Sequence, residues 1–273
     1  VYTIISNKKT GKIAAMIMSI KSKVIMEVLS SISVKALFGV RTVSADLAEN
    51  YDWVCRNMFA NAQKVADKFH VIKLGLESLQ DLRVRFRQMA LEEERIRIEE
   101  HKSQEAEKRE LAKRQNQSYK ILPLPKSKTY FNDETKKELL ARSRYLLFTF
   151  ESNWTETQKE RASILFKEFP EIAVAYKQIC AFRAWYNISK NTDKVNSKFN
   201  DWCQKTIETN IPELINFVSI LKRHSPEILA YFKDGHTNAF AESLNSKIQR
   251  FIITNYGIRD RNFFHFRLMK FLS

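Results

Sequence analysis

From Val71 to Arg223, the middle of this chain has almost entirely the residue pattern of α-helices. This restricts the folds that the residues on either side can adopt. Apolar residues keep helical spacing at its start, and several helical segments follow. The whole sequence has only 5 Gly and 5 Pro among 273 residues, which favours long helices over tight turns. Strand signals are confined to the residues before Val71.

Charge divides this helical block into an arm and a cluster of helices. Residues Glu92 to Arg114 are mostly charged, with both signs mixed, which is typical of a long solvated helix with ion pairs four residues apart. Alternatively, the basic side chains of this helix lie against DNA. Pro123 and Pro125 end the arm and mark a linker. Five helices are predicted after it: Glu134–Glu151, Glu156–Phe169, Ile172–Ile188, Asp193–Asn210 and Pro212–Arg223.

The residues before the helical block have the order expected of a mixed α/β layer. The predicted elements are a β-hairpin, a helix, a strand, a second helix and a strand. They lie at Tyr2–Ser6 with Ile13–Ile20, from Ser22 to about Ile32, and at Val40–Asp46, Ala48–Phe59 and Lys64–Ala66. Asp46 and Asp67 each stand where a strand ends. Ligand-binding side chains tend to emerge at such positions in an α/β sheet, so both carboxylates are candidates for a site.

A further helix is predicted after Thr237, whose hydroxyl is suited to capping it. Its apolar face is Phe240, Leu244, Ile248 and Ile252, and its polar face is Asn238, Glu242, Asn245 and Gln249. Glu242 is the only acidic residue between Asp234 and Asp260. The helix either delivers this one carboxylate to a metal or is an ordinary amphipathic helix with a solvated polar face.

The charge of the chain points to a polyanionic partner. A formal net charge of +15 and a pI near 9.7 favour nucleic acid. The basic residues closest to the Glu242 motif are Lys247, Arg250, Arg259, Arg261 and Arg267. They are candidates for phosphate contacts, and the alternative is a role in solubility or local ion pairing.

Cysteine usage and hydropathy favour a cytoplasmic protein. Cys55, Cys180 and Cys203 form no Cys-x-x-Cys motif, as expected in a reducing compartment without a disulfide framework. No secretory signal is evident. The most apolar early stretch, Ile13 to Leu29, is interrupted by charged residues and is too short to cross a bilayer, so no membrane association is expected.

Two sets of motifs resemble one family of enzymes. The pattern T-N-A-x-x-E-x-x-N at residues 237–245, followed by Y-G at 256–257 and F-F-x-x-R-L at 263–268, is similar to the C-terminal signature of DDE transposases of the ISL type. V-S-A-D at residues 43–46 and D-x-x-H at 67–70 resemble the same family nearer the N-terminus. The resemblance extends across the chain and is strongest at its two ends.

The resemblance implies an α/β fold that is mostly helical overall. Its ribonuclease H-like mixed sheet is interrupted by a large all-α insertion: residues 1–72 and 225–273 form the two parts of the core, and residues 73–224 form the insertion. Asp46 and Glu242 are then catalytic ligands for Mg²⁺ or Mn²⁺. The supporting motif residues are Asp67, His70, Asn238 and Asn245. Asp67 and His70 are either further metal ligands or a hydrogen-bonded pair that fixes the turn near the site.

The activity implied is that of a bacterial insertion-sequence enzyme. It comprises metal-dependent hydrolysis at transposon ends, transfer of the 3′-OH to target DNA, and assembly as a homo-oligomer on paired ends. The family's first catalytic Asp maps just before Tyr2, whereas no acidic residue here precedes Glu27. We therefore expect an N-terminally truncated, catalytically incompetent polypeptide. The alternative function is that of an inactive transposase remnant or a basic helical DNA-binding module.

We predict that the affinity of the chain for DNA falls steeply as salt rises, because lysine and arginine contacts to phosphates release counterions. A protein with several such contacts loses about a thousandfold in affinity between roughly 50 and 200 mM salt. Fluorescence anisotropy of a labelled duplex, titrated at several salt concentrations, measures this slope. A flat response would contradict the proposed basic surface.

Overall fold

The structure is a computed structural model that describes residues 2–186, 192–234 and 239–272. Thr237 and Asn238 lie outside the described residues. Glu242, Asn245 and Arg261 lie within described helices, but their side chains are outside the description. The chain forms two compact units: the first comprises Val1–Lys73, Tyr186–Phe199 and Ile220–Ser273, and the second comprises Leu74–Trp185 and Asn200–Ser219.

The first unit contains two small β-sheets. Strands β1 (Thr3–Asn7) and β2 (Lys12–Ile17) form an antiparallel hairpin, as predicted, with Gly11 at φ +66° in its turn. Strands β3 (Thr42–Ala45) and β4 (Gln63–Ala66) pair in parallel. The predicted α/β, mostly helical class is confirmed, but among the described residues no strand joins the two sheets into one ribonuclease H-like sheet.

Helices make up most of the described chain. In chain order they are α1 (Ser22–Ser30), α2 (Val34–Phe38), α3 (Glu49–Met58), α4 (Lys68–Arg114), α5 (Lys136–Arg142), α6 (Glu156–Glu168), α7 (Pro170–Trp185), α8 (Thr192–Ile207), α9 (Pro212–Arg223), α10 (Ser225–Asp234), α11 (Ala239–Thr254) and α12 (Arg261–Leu272). None of the described helices combines the length and the apolar character that crossing a membrane requires.

Helices cover both small sheets of the first unit, and this burial stabilises them, because an isolated two-stranded sheet is marginal in water. Ile17 of the hairpin is buried with Ile25 and Leu29 of α1 and with Val54 of α3. Helix α3 also contacts the second sheet, since the Lys64 ammonium lies 3.1 Å from an oxygen of Asp52. Helix α10 packs along β4.

The last two helices also belong to this unit. Helix α11 packs on α12 through buried Phe251, whose ring centroid lies 5.4 Å from that of Phe264 and 5.1 Å from that of Phe271. Ile252, which the predicted stripe placed on the apolar face, is 38% exposed instead. The ring of Tyr2 stacks on His265 of α12 at 5.5 Å, so the two ends of the chain are in contact.

The second unit is a helical cluster around aromatic side chains. The ring of buried Phe182 lies 4.6 Å from Trp202 and 5.3 Å from Phe217 between centroids. Four of the five predicted helices end within a few residues of their predicted bounds. The predicted helix Glu134–Glu151 is wrong, because α5 ends at Arg142 and two short 3₁₀ turns follow it.

Tertiary hydrogen bonds explain that early end. The indole of Trp154 donates to the carbonyl of Leu146 at 2.9 Å, and the hydroxyl of Tyr176 donates to the carbonyl of Thr149 at 2.9 Å. Arg183 donates to the carbonyl of Phe148 at 3.1 Å. These donors satisfy backbone acceptors that a continuous helix would have satisfied itself, so the chain can leave the helix without losing hydrogen bonds.

The charged arm is less solvated than its composition suggests. Glu105 on α4 is only 6% exposed. Its carboxylate accepts hydrogen bonds from the Tyr119 hydroxyl at 2.8 Å and from the Leu122 backbone at 3.0 Å. Arg97 donates to the carbonyl of Pro125 at 3.0 Å. The linker that contains Pro123 and Pro125 therefore folds back along α4 and covers part of it.

We predict that Glu134→Ala destabilises the protein by about 3 kcal/mol, because removing one partner of a buried ion pair leaves an uncompensated charge. Glu134 is 2% exposed, and its carboxylate accepts hydrogen bonds from Arg161 at 2.7 Å and from Arg142 at 3.2 Å. Burial opposes its ionisation, but these arginines outweigh burial and lower the pKa of Glu134.

Chemical denaturation measures this change in the free energy of unfolding. The matched control is Glu156→Ala, which breaks the exposed Lys159–Glu156 pair and should change the free energy of unfolding little, because solvent screens exposed pairs. Equal losses for the two variants would contradict the importance of the buried pair.

Candidate active site at the ends of two parallel strands

The parallel pairing of β3 with β4 brings two carboxylates to the same edge of a sheet. The strands are in register from Thr42 opposite Gln63 to Ala45 opposite Ala66. The backbone N–H of Asp67 then donates to the carbonyl of Ala45 at 2.9 Å, which extends the pairing by one bond. Asp46 and Asp67 are the first residues beyond the paired strands, so they leave the sheet side by side.

Asp46 is held by the backbone that leads into α3. One carboxylate oxygen, Oδ1, accepts a hydrogen bond from the Ala48 backbone at 2.9 Å, and Ala48 is the residue that precedes the helix. A helix N-terminus favours a negative charge. The side chain is half-buried, and the other oxygen, Oδ2, accepts no hydrogen bond from the part of the chain that the structure describes. Asp46 is thus oriented with one oxygen left for a cation.

Asp67 uses both of its oxygens within its own turn. Oδ1 accepts from the Phe69 backbone at 2.9 Å and so caps the start of α4. Oδ2 lies 2.9 Å from Nδ1 of His70. The structure therefore brings Asp67 and His70 together as a hydrogen-bonded pair. A metal-ligand role for either residue stays a prediction.

Three acidic and basic groups interact at this sheet edge. The hydrogen bond that the His70 ring donates to Asp67 raises the pKa of His70, burial of the ring opposes this, and the charges of Asp67 and Asp46 add to the rise. Asp46 therefore lies near enough to act on the His70 ring. Asp67 positions His70, and the two carboxylates favour the protonated form of its imidazole.

Helix α11 borders the same region of the first unit. The face that carries Ser246, Gln249, Arg250, Ile253 and Thr254 forms a cleft of about 780 Å³ with Phe69, which follows Asp67 by two residues. Glu242 lies in α11, but its side chain is outside the description, as is that of Asn245. The predicted proximity of Glu242 to Asp46 remains a prediction.

The candidate phosphate-binding residues are exposed on the last two helices and the loop between them. Lys247, Arg250, Arg259 and Arg267 are all exposed, and none of the four forms an ion pair with another described residue. The guanidinium of Arg267 lies 6.0 Å from the centre of the Phe263 ring. The side chain of Arg261 is outside the description. The four described cations are available to an external anion.

The two residues within the D-x-x-H motif, Lys68 and Phe69, also belong to this region, although no sequence pattern predicted a role for them. The Lys68 ammonium lies 5.4 Å from the ring centre of Tyr186 and 5.8 Å from that of Tyr231, within cation–π range. Phe69 is 56% exposed although it is a large apolar residue. The only feature of the sequence that indicates a role for Phe69 at this site is its position between two polar motif residues.

The described carboxylate ligands suit a hard divalent ion, but they are too few to form a complete metal site. No group of three His, Cys, Asp or Glu residues able to hold a metal occurs in the described ranges, which leave out the Glu242 side chain. The free oxygen of Asp46 is the kind of ligand that Mg²⁺ and Mn²⁺ prefer. Asp46 fits such an ion as one ligand among several.

Comparison with known proteins gives one result for the whole chain. The model of the ISL3-type DDE transposase family, described as a transposase, matches residues 1–268. No curated protein sequence and no solved structure matches the chain.

We predict that Asp67→Asn lowers the pKa of His70 toward its ordinary value of 6.5, because the amide keeps the helix cap but removes the charge. A raised pKa in the folded state stabilises the protein below the unfolded pKa, and this contribution is lost as pH rises through the folded pKa. The stability difference between wild type and Asp67→Asn should therefore shrink with rising pH.

NMR titration of the His70 ring protons measures the first effect, and denaturation at several pH values measures the second. Asp52→Asn is the control, because Asp52 pairs with Lys64 and Arg56 instead. A His70 pKa that is unchanged in Asp67→Asn would show that the pair does not form in solution.

Proposed function

Since this chain belongs to the family of ISL3-type DDE transposases, we propose that it acts in metal-dependent cleavage of insertion-sequence ends and in transfer of the freed 3′-OH to target DNA. Family membership indicates a function in transposition. The observation that carries the catalytic proposal is the placement of Asp46 at the end of a parallel strand, with Oδ1 fixed by a backbone N–H and Oδ2 left for a cation.

Asp46 and Glu242 are proposed as two ligands of the catalytic metal site. Glu242 precedes Ser246 by four residues and Gln249 by seven, so helical spacing puts all three positions on one side of α11. That side lines the cleft with Phe69, close along the chain to Asp67. Asp46 and Glu242 would hold Mg²⁺ or Mn²⁺, which would supply activation of the attacking oxygen and stabilisation of the leaving oxygen.

The third ligand in the family pattern is its first Asp, which the resemblance aligns just before Tyr2. No Asp or Glu occurs among residues 1–26, so this ligand is not supplied by the first strands described here. The 273 residues then hold two of the three carboxylates. Asp67 and His70 support the site as a positioned pair, with Asn238 and Asn245 flanking Glu242 in the motif.

A ribonuclease H-like core made of two chain segments is also proposed. Residues 1–72 and 225–273 form the core, and residues 73–224 form the helical insertion. Three contacts support this division: α10 packs on β4, Tyr2 stacks on His265, and α11 forms a cleft with Phe69. Helix α3 contacts both small sheets, as a helix covering one larger sheet would.

DNA is the proposed partner, bound through exposed cations on the C-terminal helices. Lys247, Arg250, Arg259 and Arg267 supply sequence-independent phosphate contacts, with Arg261 as a fifth candidate. The net charge of +15 adds long-range attraction for DNA. Assembly as a homo-oligomer on paired DNA ends, in the bacterial cytoplasm, completes the proposal.

The second candidate function is that of a DNA-binding chain without catalysis. The exposed cations of the C-terminal helices favour it, because lysine and arginine bind phosphates without any catalytic metal. In this alternative the basic helices bind DNA as above. The two candidates differ in whether Asp46 and Glu242 share an ion.

We predict that Asp46→Asn and Glu242→Gln each weaken Mn²⁺ binding at least about tenfold, since even second-shell changes at metal sites cost 10-fold to 100-fold. The double variant should weaken binding by less than the product of the two single effects, because two ligands of one ion are energetically coupled. Electron paramagnetic resonance of free Mn²⁺, titrated with each protein, gives the dissociation constants without requiring catalysis.

Asp201→Asn removes an exposed carboxylate in the second unit and serves as the control. It should leave Mn²⁺ binding unchanged. Additive effects of the two site variants, or none, would mean that Asp46 and Glu242 do not share an ion and would favour the non-catalytic candidate.

A further inference from the structure

The cleft between Phe69 and α11 has the composition of a binding site. Phe69 is 56% exposed on one wall, and Ile253 is 73% exposed on the other. The Phe69 ring meets the His70 ring at 88°, so the two rings do not stack on each other. Two large apolar side chains thus face a cleft of about 780 Å³, which is within the range of small-molecule sites.

The rest of the lining is polar and carries a positive charge. Ser246, Gln249 and Arg250 are exposed on the same face of α11. The Thr254 hydroxyl is engaged, since it donates to the carbonyl of Arg250 at 3.0 Å. Arg250 forms no ion pair with a described residue, and the amide of Gln249 both donates and accepts. The cleft therefore offers an aromatic surface, an amide and a guanidinium.

We propose that this cleft takes one unpaired base of a DNA strand, with Phe69 stacking on the base, Gln249 bonding its edge and Arg250 contacting the adjoining phosphate. A nucleobase is flat, has donors and acceptors on its edge, and is joined to an anion, so it matches each of these groups. Aromatic side chains bind unpaired bases in this way irrespective of sequence.

An intact duplex does not fit the same lining. Its bases are stacked on one another, so no base face is free to meet Phe69 unless the base is unpaired or flipped out. Duplex phosphates need cations, and Arg250 is the only cation among the described lining residues. This inference rests on one part of the proposed function, namely that the chain binds DNA. It adds a subsite for a single-stranded or frayed nucleotide close to Asp67.

Oligonucleotides that contain the fluorescent base 2-aminopurine test the proposal with the whole 273-residue chain. Single-stranded probe should bind with quenching of the base fluorescence, whereas the matched duplex should bind without it. Phe69→Ala should weaken single-strand binding about tenfold and abolish the quenching, because one stacked base is lost. Phe69→Trp should restore both.

Phe131→Ala is the matched control, since Phe131 is 71% exposed and lies outside the cleft. It should bind like wild type. Ile253→Ala shortens an exposed side chain on the other wall of the cleft. It should weaken single-strand binding and leave duplex binding unchanged. Circular dichroism confirms that each variant is folded.

The outcomes separate this inference from the catalytic proposal. Asp46→Asn should keep the quenching while losing Mn²⁺ affinity, so the base subsite can stand if metal catalysis fails. Unchanged quenching in both Phe69→Ala and Ile253→Ala would overturn the subsite. Equal, Phe69-independent binding of single-stranded and duplex probes would also overturn it, since charge alone would then account for the affinity.

Discussion

The in-register parallel pairing of β3 with β4 is the constraint on which the candidate site depends. It ends with the Asp67 N–H donating to the carbonyl of Ala45, and so it fixes two acidic residues that are distant in sequence at one sheet edge. A slip of one residue would turn every side chain of β4 to the opposite face. The buried side chains of Val65 and Ala66, under α10, oppose such a slip.

Charge in the first unit is divided between this sheet edge and the C-terminal helices. Asp46 and Asp67 concentrate negative charge at the strand ends, and the raised pKa of His70 reflects it. The four described candidate phosphate-binding cations lie on α11, on α12 and between them. A polyanion such as DNA is attracted by these cations and repelled by the two carboxylates. A divalent ion at the carboxylates would remove that repulsion, which is the physical link between metal binding and DNA binding in the proposed function.

Local patterning predicted helices well wherever packing and local preference agree. Helix α9 has its predicted bounds, with Pro212 in its first turn and apolar residues at helical spacing. The predicted helix Glu134–Glu151 was wrong because residues outside it donate hydrogen bonds to its backbone carbonyls. The donors are Trp154, Tyr176 and Arg183. The buried Glu105 also shows that local patterning does not predict long-range contacts. The mixed charge of the arm predicted a solvated helix, whereas the linker covers part of that helix.

The sequence by itself determined the helical middle, the hairpin, the basic character and the two acidic motifs, because periodicity, turn residues and residue types are local properties. The D-x-x-H spacing already offered a hydrogen-bonded Asp67–His70 pair, and only the tertiary structure decided that this pair lies beside Asp46 and that Phe69 faces α11 across a cleft. These arrangements depend on strand register and helix packing between segments far apart in sequence. No local pattern encodes such contacts, because they form only when the whole unit buries its apolar surface.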